Sequence, residues 1–281
     1  MRLASRALHD WLLACTLVCS SVPAIAFAQN LEQQLEQQAD QQYRDLLQQA
    51  AAKGALASDG NPELQRLRRV QQRILPFTYA VNSAAQQWKW EVNLLGSDQI
   101  NAFCMPGGKI AFYSGIITKL RLTDDEIAIV MGHEITHALK EHGVEQTKKQ
   151  AYGELAARAG GALLSSWLGI DPNITSLGAR AANGLFQLRF SRADESEADA
   201  IGLELAARAG YDPRAGVALW QKMAQASQGG PPQWLSSHPA GSNRITEIQR
   251  RMPNVLPVYA QAVGKSVDQL PPYRTTAIAA R

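Results

Sequence analysis

Ile129 to His142, IVMGHEITHALKEH, holds the residues best suited to chemistry. His133 and His137 stand four apart. On a helix their side chains lie about 40° apart around the axis, on one face, so both imidazoles can hold one metal ion. Glu134, directly after the first histidine, can reach a water on that metal and take its proton. A catalytic zinc takes three protein ligands and keeps a fourth place open. His142 is excluded as the third, because nine residues after His133 on a continuing helix is about 180° away. The longer pattern HExxHxxGxxH also fails, with Lys140 and Gly143 where glycine and histidine should stand. The third ligand is therefore expected on another helix, as a carboxylate.

SRADESEAD, Ser191 to Asp199, supplies it. On a helix, Glu195, Ala198, Asp199, Gly202 and Ala206 share one face, while Glu197, Glu204 and Arg208 fall on the opposite, polar one. That phase favours Glu195 as ligand and leaves Glu197 in solvent. Asp199, one turn on, can accept the free ring N–H of a ligating histidine. A solvated acidic face is the plainer alternative for this segment.

The elements that must position these groups can be read around them. Thr123-Asp124-Asp125-Glu126 is a capping box that starts the HEITH helix. Before it, Trp90 to Leu95 alternates as a strand. Ile100 to Met105 and Lys109 to Tyr113 flank Pro106-Gly107-Gly108 as a hairpin. One of these two strands is expected as an edge beside the metal. Asn101, Ala102 and Phe103 would receive an extended substrate there by main-chain hydrogen bonds. Cys104 and Met105 read as packing residues. Asn61-Pro62 opens a helix expected to reach about Trp88. After the motif, helical tracts are expected from Glu145 to Trp167 and from Thr175 to as far as Ala209. Two more should follow, one from Tyr211-Asp212-Pro213 to Ala226 and one from Asn243 to Met252. The fold class is α+β, mainly helical, with a small antiparallel sheet packed on the HExxH helix.

The N-terminus reads as a secretory signal. Arg2 and Arg6 precede the apolar stretch Trp11 to Val22, and Ala26-Phe27-Ala28 fits a cleavage site before Gln29. Leu12-Leu13-Ala14-Cys15 loosely resembles a lipobox, but the apolar run before Cys15 is short and holds His9 and Asp10, which argues against lipid anchoring. The expected organisation is a signal at 1–28, a Gln/Ala-rich arm at 29–60, a catalytic domain at 61–253 and an irregular tail at 254–281. Cleavage would lower the formal charge from +3 to +2, too little to attract nucleic acid. It would leave Cys104 as the lone cysteine, so no internal disulfide is expected. No later segment is apolar and long enough to span a bilayer.

HEITH, the Glu195/Asp199 pair and SHPAGSNRI (His238, Pro239, Arg244) together resemble the HtpX-like and CAAX-prenyl-protease-like zinc metallopeptidases. The hairpin NAFCMPGGKIAFYSGII fits the same pattern. The likeness covers about Arg68 to Met252 and is nearest to the periplasmic, BepA- and LoiP-like branch. It implies a zincin-like (gluzincin) domain with one Zn2+, bound by His133, His137 and Glu195, and Glu134 as base. It also implies that His238 lies near the metal, as a regulatory fourth ligand in some members. His238 and Arg244 are both candidates to steady the oxyanion of the reaction. The expected partners are unfolded or misassembled envelope polypeptides and the outer-membrane assembly machinery, met in the periplasm. The alternative is a chaperone-like assembly factor in which binding outweighs cleavage.

Overall fold

The computed structural model describes residues 22–149, 189–227, 230–239 and 243–278, with side chains of the first helix from Leu35 onward. Most of the expected signal and the tract from 150 to 188 lie outside the described residues.

Helix α1 (Val22–Ala52) and helix α2 (Pro62–Thr78) precede strands β1 (Glu91–Leu95), β2 (Ala102–Met105) and β3 (Lys109–Tyr113). The short α3 (Ser114–Leu120) leads to α4 (Asp124–Leu139), which carries HEITH. Then come α5 (Arg192–Arg208), α6 (Ala215–Ala226), the one-turn α7 (Gln233–Ser237) and α8 (Arg244–Ala262).

The sheet has the order β1-β3-β2. The β2–β3 hairpin is antiparallel as expected, but β1 passes to the far side of β3 and pairs with it in parallel, so the sheet is mixed. Alternation marks strands and not their neighbours; the connection over 96–101 carries the chain across the end of β3. This settles which strand is the edge: β3 is central and β2 is outermost. The opposite margin, on β1, is covered by Leu56, which bridges to Leu95.

One face of the sheet meets α2 and α4. Leu64, Leu67, Val70 and Ile74 form the buried stripe of α2, at helical spacing, against Val92, Ile110, Phe112 and the apolar side chains of α4. The other face meets α1 through Ala39, Tyr43 and Ala50, which pack on Leu95, Met105 and Ala111. The Tyr43 hydroxyl donates to the Ile110 carbonyl at 2.6 Å. The Gln/Ala-rich arm thus packs as a layer on the sheet.

Three element limits differ from expectation. Helix α2 stops at Thr78, and a 3-10 turn (Ser83–Gln86) follows before β1, so no single helix reaches Trp88. Arg189 and Phe190 lie outside any helix, and Ser191 caps α5 with Asp194 in a second capping box, so the tract expected to run on to Ala209 is interrupted there. Helix α8 runs ten residues beyond Met252, through Pro253 and Pro257. Both prolines lie on its exposed side, one turn apart, where water can satisfy the carbonyls that lose their N–H partners. The rest of the tail is irregular but tied down. Tyr273 Oη is 3.0 Å from Thr123 Oγ1, and Thr275 donates to Glu126 at 2.5 Å. Buried Lys222 pairs with Glu126 at 2.7 Å beneath it. Among the described residues no helix is long and apolar enough to cross a membrane.

Candidate metal centre

Helix α4 is buried from Glu126 to Leu139, which its sequence allows because Ile127 to Gly132 are all apolar or small. It starts at Thr123, whose hydroxyl accepts from the Glu126 N–H while Glu126 accepts from the Thr123 N–H. It crosses α5 at Gly132 and Gly202, where a Cβ on either residue would meet the other helix's backbone at 2.6–2.7 Å. This close crossing brings the two HEITH histidines onto Glu195.

Four buried donors converge: His133, His137, Glu195 and His238, with one ligand atom from each within 4.8 Å of all the others. The two Nε2 atoms of the HEITH pair are 3.1 Å apart, and His238 Nδ1 lies 3.2 Å from His133 Nε2. Glu195 Oε1 is 2.9 Å from His238 Nδ1 and 3.4 Å from His137 Nε2, and Oε2 is 3.6 Å from His133 Nε2. Zinc bonds of 2.0–2.1 Å in a tetrahedron put neighbouring donors about 3.3 Å apart, so this set fits a zinc ion in spacing and in chemical type. Burial pushes His137 well below its usual value, towards the neutral imidazole that a metal requires. Burial works against the charge of Glu195, but its bonds to His137 and His238 hold the carboxyl well below the usual carboxylate range.

Asp199, one turn after Glu195 on α5, lies 3.1 Å from His133 Nδ1 and can accept its N–H. Arg244, buried, spends its guanidinium on Asp199 at 2.6 and 2.7 Å and on Glu195 at 2.5 Å, while stacking on Trp220. It lines a small pocket beside Glu195 and Asp199 rather than the main cleft. Three of its N–H groups thus go to the Asp199 and Glu195 carboxylates, which it holds together beside the cluster.

Glu134 is 2% exposed and stays outside the donor set. It accepts from the Trp234 indole N–H at 2.5 Å and lies 3.5 Å from His238 Nε2. Trp234 and His238 are both placed by α7, which is pinned at two points. The Trp234 N–H donates to the Ile100 carbonyl, just before β2, and the Phe190 N–H donates to the Ser237 carbonyl. The Phe190 ring lies 3.9 Å from the His137 ring. Trp234 and Phe190 were missed in the sequence; Trp234, one helical turn before His238, was the available signal.

A cleft of about 390 Å³ opens on this group. Glu134, His137 and His238 line it, as do Ala102 and Phe103 of β2 and Asn101 just before that strand. Leu46 of α1 also reaches it. Cys104 lines it too, with its thiol pushed well up by burial and by the nearby Glu134 charge, as suits a packing residue. His142 is absent from the donor set, as expected, though for a different reason. Helix α4 ends at Leu139, Glu141 turns left-handed with φ 55°, and His142 folds back onto the far side of His137.

A helix with HExxH, a carboxylate brought by a crossing helix and a small sheet with an edge beside them define a zincin-like metallopeptidase domain. The chain belongs to Peptidase family M48, whose model matches residues 64–252. It is 35% identical over 180 residues to the bovine "Metalloendopeptidase OMA1, mitochondrial", covering 60% of this chain and 34% of that protein. The Saccharomyces cerevisiae "Mitochondrial metalloendopeptidase OMA1" is 33% identical over 194 residues, 64% of this chain and 52% of its own. The Yersinia pestis "Beta-barrel assembly-enhancing protease" is 31% identical over 173 residues, 58% of this chain and 35% of its own. The matches span about a third to a half of the length of these relatives.

Proposed function

We propose that this chain is a zinc-dependent endopeptidase of the bacterial periplasm that cuts misfolded or misassembled envelope and outer-membrane proteins. The observation that carries the chemistry is the position of Glu134. It is a buried carboxylate beside a zinc-compatible donor set, on the wall of a cleft that an edge strand borders. A structural zinc would need neither a carboxylate outside the donor set nor the cleft. The names of the relatives support peptide hydrolysis, and one of them points to β-barrel assembly. The cleavage signature at Ala26-Phe27-Ala28 supports export.

A zinc ion held by His133, His137 and Glu195 would polarise the scissile carbonyl and acidify the attacking water. Glu134 takes that water's proton and later delivers it to the leaving amine. The outer edge of β2 holds the substrate as an added strand, through main-chain groups that read little side-chain sequence. Unfolded or misassembled chains offer such strands. Asp199 and Arg244 hold His133 and Glu195 in place.

His238 and Trp234 together describe a resting form. His238 Nδ1 would take the fourth donor place on a bound zinc, and the Trp234 indole N–H occupies the base. That closure also favours a second reading, a chaperone-like assembly factor whose polypeptide binding outweighs cleavage. The test is hydrolysis of an unfolded outer-membrane protein by the wild type and by Glu134→Gln. The enzyme reading expects cleavage by the wild type alone, with Glu134→Gln still folded and binding zinc. Binding without cleavage by the wild type would favour the chaperone; cleavage by Glu134→Gln would overturn the assignment of the base.

A further inference from the structure

We propose that His142, oriented by Glu197, is the positioning residue for the metal ligand His137, so that a two-residue relay does for His137 what Asp199 does for His133. The inference rests on the zinc-site reading above and concerns two residues that reading does not use.

His142 is 7% exposed, and its Nδ1 lies 3.0 Å from His137 Nδ1. Its other nitrogen, Nε2, lies 3.0 Å from Glu197 Oε2, and Glu197 Oε1 lies 3.0 Å from Lys140 Nζ. The protons along this line can be assigned by chemistry. His137 faces the other donors with Nε2, so that nitrogen must be bare to bind a metal. A neutral His137 then carries its proton on Nδ1 and donates it to His142 Nδ1. His142 must accept there, so its own proton sits on Nε2 and is donated to Glu197. With both rings neutral, this is the one arrangement that leaves His137 Nε2 free for a metal. Glu197, a carboxylate that only accepts, enforces it.

The backbone shows how the relay is reached. On an unbroken helix His142 would point away from His137. The left-handed Glu141 (φ 55°) ends α4 and turns the ring back. Glu197 is on the polar side of α5, opposite Glu195, and reaches His142 because the chain from 140 to 142 passes beside it. A carboxylate partner to a ligating histidine fixes ring orientation and raises basicity, and its loss typically costs about 10–100-fold in metal affinity.

The experiment is a zinc titration of the metal-free full chain against a chelating dye, with the visible spectrum of the Co2+-loaded protein as a second readout. His142→Leu removes the acceptor and should weaken zinc binding by about 10–100-fold, with a changed cobalt spectrum. His142→Asn is of similar size and keeps an acceptor oxygen near the Nδ1 position, so it should recover most of that loss. Glu197→Leu, at a half-exposed site, should weaken binding by a smaller factor, and Glu204→Gln further along α5 should change nothing. If His142→Leu fails to fold, Glu197→Leu and His142→Asn carry the test. Equal losses in the leucine and asparagine variants would reduce His142 to packing and overturn the proposal. Wild-type affinity and spectrum in both His142→Leu and Glu197→Leu would overturn it as well. A wild type that binds no zinc would instead overturn the metallopeptidase reading.

Discussion

Gly132→Ala should separate the metal ligands without touching one of them. The added Cβ would lie 2.6 Å from the Gly202 carbonyl oxygen, and the atoms it meets are backbone, so no side chain can rotate away. Ordinary contact begins near 3.4 Å, so α4 and α5 must part by roughly 0.8 Å at the crossing. His133 is the next residue on one helix, and Glu195 lies two turns before Gly202 on the other. A zinc site tolerates about 0.2 Å in its ligand distances. Overpacking of this kind costs about 1–3 kcal/mol. For a domain of this size that lowers Tm by roughly 2–12 °C. If zinc must pull the helices back against that strain, affinity falls about 5- to 150-fold, at 1.4 kcal/mol per tenfold. Zinc titration and thermal unfolding of the metal-free chain would read both effects. Gly216→Ala is the control: its Cβ would meet side-chain methyls only, Leu203 Cδ2 at 3.0 Å, Ile248 Cγ2 at 3.4 Å and Ile129 Cγ2 at 3.9 Å, and the nearest of them can shift, so zinc affinity should hold. Wild-type zinc affinity and stability in Gly132→Ala would refute the claim that this crossing sets the ligand geometry.

Arg244→Met should destabilise the metal-free protein by about 3–5 kcal/mol in urea unfolding, because it strands the buried Asp199 and Glu195 carboxylates. His238→Ala should raise hydrolysis of an unfolded substrate, by about tenfold if the open form of the wild type is near 10% populated; lost activity would make His238 a catalytic donor instead. Acid should destabilise the metal-free chain through Glu195 and Asp199. Burial opposes both charges, but their partners hold both values below ordinary ones, so the unfolded chain binds more protons. The stability they contribute is present above about pH 4.5 and is lost as pH falls below it, read as a falling urea midpoint.

How much of this was legible in the sequence depended on range. The Thr123–Glu126 cap, the HEITH face and the inward phase of Glu195 and Asp199 are local, set within one or two helical turns, and the structure shows each in the expected geometry. Strand order is not local: β1 alternates alike whether β2 or β3 is its neighbour. Pro253 and Pro257 argued for a helix end, yet both face solvent, where the lost hydrogen bonds are replaced by water. The return of His142 depends on a left-handed glutamate, for which neither glycine nor asparagine gave warning. Glu197 was read as solvated because helical phase describes one helix alone. Its partners, Lys140 and His142, come from another segment. The Trp234–Glu134 bond joins residues a hundred apart in the chain.

The central claim is that zinc at His133, His137 and Glu195 drives peptide hydrolysis with Glu134 as base. It is tested most directly by adding zinc stepwise to the metal-free chain while following cleavage of an unfolded outer-membrane protein in the same sample. Activity should rise from zero and saturate at one zinc per chain, with no cleavage at any zinc level in Glu134→Gln. Cleavage by the metal-free wild type, or by zinc-loaded Glu134→Gln, would contradict it.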